Sequence, residues 1–534
     1  MNYHDLQYKY PSKRTLVYGT KGMVATSQPL AAQAGLDIIK KGGNAVDAAI
    51  ATAACLTVVE PTSNGIGGDA FAIVWMKDKI YGLNSSGKSP ESISIEKLKA
   101  MGYETMPKHG MIPVTVPGAP GAWAALSERF GNLTLKECLT PAIDYAKDGF
   151  PVSPITATYW ERAFNAYQKS FKGKEFSSWF DTFAPENRAP KPGEVWSSKD
   201  HANTLKLIGE SNAKEFYQGS LADKIHGFSK QHKGFLEKSD LENFQPEWIE
   251  PVKLNYKGYE VWELPPNGQG IIALMSLNIL QHQTIESRDS ENTVHKQIEA
   301  MKLAFEDGKK YITDPEFMKV SNEELLSYEY GKKRSGEISE EAMLPKPGKP
   351  DSSGTVYLAT ADGEGNMVSF IQSNYMGFGS GVVIPGTGIG LQNRGHNFSL
   401  NPDDYNALAP GKRTFHTIIP GFLSKEGKAL GPFGVMGGFM QPQGHMQVIN
   451  NLLDFNLNPQ EALDAPRWQW IQAKTVEIET GTPKFIFEHL QRRGHQVEWA
   501  KDSGSFGRGQ IILKNGKTLI GATEPRADGM VAAW

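Results

Sequence analysis

Between residues 351 and 375 the chain reads DSSGTVYLATADGEGNMVSFIQSNY. The alternation predicts two strands, 356–361 and 367–375, joined by a polar hairpin turn at 362–366. The first strand is entered through Gly354 and Thr355, after a run, 336–354, that is polar, proline-bearing and poor in large apolar side chains. A small hydroxyl residue at the head of a central strand has one special use. If the chain is cut between Gly354 and Thr355, the freed α-amine is a base for the hydroxyl of its own residue. A reference pKa of roughly 7.7–8.0 leaves part of that amine neutral at physiological pH. Without the cut, Thr355 is an ordinary β-branched strand residue, which locally is the commoner case.

Elsewhere helices alternate with strand pairs. Helices are expected over 28–41, stopped by Gly42 and Gly43, and over 45–58, capped by Asn44. The glycine loop NGIGGD at 64–69 leads into strands at 70–76 and 80–84. Helices follow at 122–130 and 139–148, then a charged, aromatic, mostly helical stretch over 160–240 that reads as an accessory layer. A strand at 259–264 precedes a hydrophobic helix from 270 to about 280. Strands at 415–423 and 430–435 lead to the pair Gly437-Gly438, a helix at 443–452, and a tail of short strands and helices. Strand pairs interleaved with helices predict a layered α/β (α+β) fold, not a doubly wound parallel sheet.

At 534 residues the chain exceeds one ordinary core. Its 39% hydrophobic and 22% charged content is that of a globular protein, and a net charge of -3 gives no electrostatic reason to expect nucleic acid or an anionic membrane as partner. No window is apolar enough to span a bilayer, and the polar start lacks an apolar run before a small-residue cleavage site, so the expected location is cytoplasmic. The two cysteines, Cys55 and Cys138, read as buried reduced thiols.

Gly437 and Gly438, between a strand and a helix, suit backbone N–H donation to an oxyanion; a plain turn is the alternative. Ser373 and Tyr375 share one face of the second hairpin strand and reach towards Thr355; a structural hydroxyl and a core tyrosine are equally compatible. Arg394, His396, Asn397, Arg413, His416, Thr417, Gln441 and His445 are further polar candidates, each with a structural or solvated reading beside it. No carboxylate or cysteine spacing around His396 or His416 argues for zinc. The loop at 64–69 lacks the setting of a dinucleotide loop, and no Walker lysine follows it. Asp47 and Asp69 read as capping or helix-surface carboxylates.

Taken in order, these stretches resemble the γ-glutamyltranspeptidase family from about Gly22 to the C-terminus. The matching segments are MVA at 23–25, GGNAVDAA at 42–49, Glu60-Pro61, NGIGG at 64–68 and Pro117-Gly118. On the C-terminal side they are 362–368, FGSG at 378–381, GKR at 411–413, Gly437-Gly438, APR at 465–467 and Asp528. The resemblance implies a four-layer αββα sandwich of the N-terminal-nucleophile hydrolase type. It implies a proenzyme that cuts itself before Thr355, leaving 1–354 and 355–534 as large and small subunits of one intertwined unit. Thr355 would attack an amide and hold the acyl group until water or an amine takes it. Gly437 and Gly438 match the oxyanion-hole glycines, and Ser373 stands where the family has a threonine that assists processing and activation.

The departures fall in the substrate pocket. The stretch GLNSSGKSP at 82–90 lacks the family's arginine, and Lys88 is the cation it offers. Asn397 replaces an aspartate, Tyr375 an asparagine, His416-Thr417 a serine pair, and Arg394 a glutamine. This resembles the divergent γ-glutamyltranspeptidase-like or cephalosporin acylase-like branch. The implied activity is an autoprocessing threonine amide hydrolase/acyltransferase on γ-glutamyl amides such as glutathione, or related carboxylated acyl amides; a glutaryl or cephalosporin-type acylase is the alternative. The implied partners are a small-molecule amide, water or an amine acceptor, the two subunits of one precursor and, as an option, a homo-oligomer. No cofactor or metal is implied. An unprocessed, non-catalytic scaffold and a metal-dependent amidohydrolase are the competing readings.

Overall fold

The structure, a computed structural model, describes residues 14–344 and 354–534. The expected hairpin forms from Gly354–Asp362 and Met367–Tyr375, paired antiparallel with Val356 opposite Gln372 and Ala361 opposite Met367. Its neighbours are Gly22–Thr26 on one side and Asp69–Met76 on the other. With Lys79–Ser85, Glu247–Ile249 and Met530–Ala533 they make a seven-stranded antiparallel sheet. A second seven-stranded antiparallel sheet runs Val17–Gly19, Thr518–Thr523, Arg508–Asn515, Lys428–Met436, Gly421–Lys425, Tyr259–Glu263 and Val252–Tyr256 in spatial order.

The two-residue period of the hairpin assigns its sides. Tyr357, Ala359, Ala361, Met367 and Ile371 meet Ile418, Phe422, Met436 and Ile512 between the sheets. Val356, Leu358, Val368 and Phe370 face the opposite way, against the small, fully buried helix Ala45–Val59 and its neighbours. Helices Gly270–Leu280, Glu291–Tyr311 and Met440–Leu453 cover the outer face of the second sheet. The result is four layers, αββα: the layered α/β pattern holds, and the four-layer order is the one the family resemblance implied. Both sheets take strands from each side of the Gly354-Thr355 bond. The stretch 160–240 is helical, as expected, and packs as an aromatic layer around Trp160, Trp179 and Phe183.

Several boundaries differ. The expected strand at 415–423 begins only at Gly421. Pro420 has no N–H for a ladder, and the residues before it are taken by a neighbouring loop: His416 N–H donates to Asn267 O and Gln269 N–H to His416 O, both at 2.9 Å. The strands Val17–Gly19, Gly22–Thr26, Trp468–Gln472 and Met530–Ala533 were not foreseen. Of the expected linker, 336–344 forms neither helix nor strand, and 345–353 lies outside the described residues, as does the N-terminal run 1–13. No helix among the described residues is long and apolar enough to cross a membrane.

One carboxylate fastens the hairpin to the helical layer. Asp362 Oδ1 accepts from the N–H groups of Glu364 and Asn366, both at 3.0 Å, and Oδ2 from Asn366 Nδ2 at 2.9 Å and Ala45 N–H at 3.0 Å. Asp47 caps as expected, with Oδ2 accepting from Asn44 N–H and Asn132 N–H at 2.9 Å. We expect Asp362→Ala to leave the buried Ala45 donor without a partner and to lower Tm by about 2 °C, on the order of 2 kcal/mol, in a thermal melt; an unchanged Tm would contradict this role.

Candidate active site

Thr355 lies fully buried at the head of its strand, on the side facing the second sheet. A register shift between Gly354 and Val356 sets it out of the regular ladder. Its Oγ1 is 3.0 Å from the Oγ of Ser373 on the adjacent strand. That Oγ also accepts from Tyr375 N–H at 2.8 Å. Ser373 is paired in register with Asp69, the first residue of the third strand. The three side chains therefore stand in one row across three strands and point between the sheets.

Asp69 anchors a buried polar group. Its Oδ2 accepts from His416 Nε2 at 2.9 Å and from Arg394 Nε at 3.4 Å. His416 Nδ1 accepts from Ile418 N–H at 3.3 Å, so the ring proton resides on Nε2 and points at the carboxylate. Arg394 Nη1 donates to Thr417 Oγ1 at 2.7 Å, and the guanidinium lies 4.4 Å above the Tyr375 ring. Burial pulls the Arg394 pKa below that of free arginine, against the pull of Asp69. Arg394 Nη2 and Asp69 Oδ1 are buried with no hydrogen-bond partner among the described residues.

Gln269 joins this group to the glycine pair. Its Nε2 donates to Thr417 O at 2.7 Å and to Gly438 O at 2.8 Å. Gly437 and Gly438 have φ of 140° and 58° and connect Lys428–Met436 to the helix Met440–Leu453. They stand at the positive end of that helix, where N–H groups converge. A chain of polar contacts and register pairs thus runs from Gly438 through Gln269, Thr417, Arg394 and Asp69 to Ser373 and Thr355.

Tyr375 ends its strand at φ 73°, a conformation that costs a bulky residue energy. The turn sends its hydroxyl to Asn397 Oδ1 at 2.5 Å, while Asn397 Nδ2 donates to Phe415 O at 3.1 Å. Tyr375, Asn397, Phe415 and Phe439 line an open cavity of about 380 Å³. The structure thus gathers Thr355, Ser373, Tyr375, Arg394, Asn397, His416, Thr417 and Gly438, with Gly437 beside it in the chain. It does not join Lys88 to them: Lys88 is half-buried, its carbonyl accepts from Val116 N–H at 3.1 Å, and among the described residues no hydrogen bond links its side chain to the Asp69 group.

Other candidates resolve individually. His396 Nδ1 meets Met106 O at 2.8 Å, and His445 donates through Nδ1 to Glu263 Oε1 at 2.6 Å while Nε2 accepts from Val435 N–H. Arg413 reaches Ser86 O and Glu247 Oε1, and Gln441 Oε1 accepts from Ile419 N–H. Asp69 corrects its reading as a cap or helix-surface group: it begins a strand and is fully buried against a cation. Its partner His416 is 347 residues away, so no local spacing could reveal the pair. The glycine loop before it is explained by close approach: a Cβ at Gly67 would lie 2.4 Å from Gly390 O, and one at Gly68 2.7 Å from Ser373 O. Gln269 was missed altogether.

A possible ligand set outside this region is His295, Glu299 and His495, whose donor atoms lie within 4.8 Å of one another. Lys302 Nζ donates to Glu299 Oε1 at 2.7 Å, His295 Nε2 to Ser339 O at 2.8 Å, and the two imidazoles meet at 2.9 Å. An ammonium already compensates that carboxylate, and the group reads as a buried network holding the segment that precedes residue 345.

Burial, and behind it the Arg394 charge, lowers the His416 pKa to about 4, although Asp69 opposes the shift. Below pH 6.5 the unfolded chain takes up a proton that the folded site refuses, so stability from this group is present above that pH and lost as pH falls towards 4. His416→Gln retains a donor for Asp69 and removes the titration. The fall in Tm between pH 6.5 and pH 4 should be shallower in this variant than in the parent; equal slopes would contradict a neutral buried His416.

A sequence profile described as Gamma-glutamyltranspeptidase matches residues 31–534. The chain is 38% identical over 528 residues to the Glutathione hydrolase-like YwrD proenzyme of Bacillus subtilis (strain 168), covering 96% of this chain and 98% of that one. It is 32% identical to the Oxamate amidohydrolase proenzyme of Klebsiella pneumoniae, over 96% and 99% of the two chains. The fold superposes on the crystal structure of cephalosporin acylase from Bacillus halodurans with a TM-score of 0.97 and 60% identity, covering 100% of this chain and 99% of that one. The chain belongs to the γ-glutamyltranspeptidase family, among whose acylase-like and glutathione-hydrolase-like members it is an enzyme.

Proposed function

We propose that this protein is an autoprocessed N-terminal threonine amide hydrolase whose preferred substrates carry a carboxylate on the acyl chain, with glutaryl-type amides favoured over γ-glutamyl ones. The observation that carries the reading is the buried 3.0 Å contact between Thr355 Oγ1 and Ser373 Oγ, in one row with the Asp69–Arg394 pair.

In the uncut chain the Thr355 nitrogen is a peptide nitrogen and cannot act as a base. Attack of Oγ1 on the Gly354 carbonyl carbon transfers that acyl group from nitrogen to oxygen, breaking the peptide C–N bond and freeing the amine; water then cleaves the ester, leaving Gly354 as a carboxylate and Oγ1 as a hydroxyl. The amine then accepts the Oγ1 proton as Oγ1 attacks the substrate carbonyl. Gly437 and Gly438 N–H groups receive the oxyanion. The C–N bond breaks, the amine product leaves with the proton, and the acyl group remains as an ester on Oγ1. Water, or an amine acceptor, gives its proton to the α-amine and releases the acyl group, and Oγ1 regains its hydrogen. Ser373 orients Oγ1 throughout.

The acyl preference follows from charge. Arg394 Nη2 is a buried donor without a hydrogen-bond partner among the described residues, suited to a substrate carboxylate beside Thr417 and Tyr375. The position for a γ-glutamyl ammonium is held by neutral Asn397, whose Oδ1 is occupied by the Tyr375 hydroxyl. An ammonium brought there faces a neutral amide, and Asp404, the carboxylate that also lines this cavity, is tied through Oδ1 to Asn406 N–H. The likeness to the cephalosporin acylase of Bacillus halodurans favours an acylase reading; the glutathione hydrolase-like relative keeps γ-glutamyl amides as the second reading.

Purified protein should separate into chains of about 39 and 20 kDa, dividing 58.7 kDa in proportion to residue number. Thr355→Ala should remain one chain and lose at least ~10³-fold in activity, and Ser373→Ala should slow processing and turnover by about 10²-fold. An active, uncut wild-type chain by intact-mass analysis would refute the mechanism. For the acyl group, kcat/KM for glutaryl-p-nitroanilide should exceed that for γ-glutamyl-p-nitroanilide by about tenfold or more; the reverse order would select γ-glutamyl amides.

A further inference from the structure

Gln269 closes the loop PPNGQG and stands at the head of the helix Gly270–Leu280, every residue of which is buried. Its backbone is pinned twice: its N–H donates to His416 O at 2.9 Å, and its carbonyl accepts from Ile272 N–H at 3.0 Å. From this fixed base the fully buried side chain reaches two carbonyls on different segments, Thr417 O and Gly438 O. Two carbonyl acceptors require the NH2 group there, since the opposite orientation would set oxygen against oxygen. Oε1 is then left buried with no hydrogen-bond partner among the described residues. An apolar side chain would fill the same space without that loss of stability, so packing alone does not account for a carboxamide at this position.

The glycine pair has a use for such a tether. Without side chains, Gly437 and Gly438 adopt φ of 140° and 58° freely, and nothing of their own holds the direction of their N–H groups. Met440 N–H donates to Gly437 O at 3.0 Å and Gln441 N–H to Gly438 O at 3.2 Å, which ties the turn to the helix that follows it. Gln269 Nε2 ties it to the other side of the site, to the segment whose Thr417 Oγ1 accepts from Arg394 Nη1 at 2.7 Å. We infer that Gln269 is a positioning residue, which sets the Gly437 and Gly438 donors at a fixed distance from Arg394, so that an acyl chain anchored there by its carboxylate presents its carbonyl to them. This rests on the amide-hydrolase reading above. Gln269 acts through Thr417 and Gly438. Loss of the tether displaces the oxyanion donors, and a displacement of about 1 Å costs about 10²-fold in rate. The carboxylate contact belongs to Arg394 and stays. The effect therefore falls on kcat, with KM preserved.

The test uses the processed wild type and Gln269→Met. It measures kcat and KM for glutaryl-p-nitroanilide per cut chain, and Kd for glutarate and for 4-boronobutanoate. The boronate carries the same acid chain with boron in place of the acyl carbon. Boron takes a lone pair of Oγ1, the α-amine takes the Oγ1 proton, and a boron-bound oxygen enters the oxyanion position. Gln269→Met should lower kcat and weaken the boronate by about 10²-fold each, with KM and the glutarate Kd changed less than about twofold. Equal losses for boronate and glutarate would make Gln269 a mere shaper of the pocket, and unchanged kcat and boronate Kd would show that the glycines need no tether; either overturns the inference. A wild type that binds boronate no tighter than glutarate sinks the amide-hydrolase reading and this inference with it. A wild type that prefers the boronate, with a Gln269→Met protein that keeps the preference, sinks the inference alone. If Gln269→Met does not fold or is not cut, a crystal structure of the wild-type boronate adduct decides. A boron-bound oxygen on the Gly437 or Gly438 N–H, with Gln269 Nε2 still on Gly438 O, supports the tether; an adduct in which Gln269 has left Gly438 O overturns it.

Discussion

A guanidinium placed between two β-sheets has to be neutralised where it lies, and much of the site follows from that demand. Removing the Arg394 charge from water costs several kcal/mol, which only a close partner and further hydrogen bonds offset. Asp69 supplies the opposite charge, Thr417 takes one nitrogen, and the Tyr375 ring covers the face. Each partner then constrains its own segment. Asp69 has to begin a strand beside Ser373, Thr417 has to leave the sheet ladder before Pro420, and Tyr375 has to end its strand in a left-handed turn. Removing either member would leave an unpaired buried charge.

The same group links two otherwise separate pieces of chemistry. Gln269 uses both carboxamide hydrogens, one for the Thr417 segment and one for Gly438, so the turn after Lys428–Met436 is registered against the cation rather than only against its own helix. On the other side, Ser373 connects to Thr355 through a single hydroxyl contact. The pairing of the central strand bears on a break after residue 354, as proposed. Gly354–Asp362 is hydrogen-bonded to strands on both flanks, and each sheet mixes strands from the two halves of the chain. A cut between Gly354 and Thr355 would detach only the Gly354–Tyr375 pair at the head of the strand and leave the ladder from Val356 onward and the apolar layers in place.

Legibility in the sequence followed the range of the interactions. Asn44 and Thr134 cap helices through contacts three residues away, and those helices were placed within a few residues. The hairpin was evident from its alternation and its turn. Edge strands such as Val17–Gly19 and Met530–Ala533 were not, because three or four residues carry too little periodicity to stand out from loop. Asp69 looked like a cap because its neighbours are glycines; its partners come from residues 394 and 416. Gln269 sits in a stretch with no chemical pattern, and its place in the site comes only from what the fold brings to it.

By itself the sequence determined the layers, the central hairpin, the hydroxyl at its head and the glycine pair, since these depend on side-chain period, turn residues and a motif order that survives without contacts. Only the tertiary structure decided which charges meet. Ion pairs and hydrogen bonds act over a few ångströms, and the groups that satisfy Arg394 and contact Ser373 are drawn from segments up to several hundred residues apart in the chain. Their proximity is a property of sheet packing, which no local window of sequence contains.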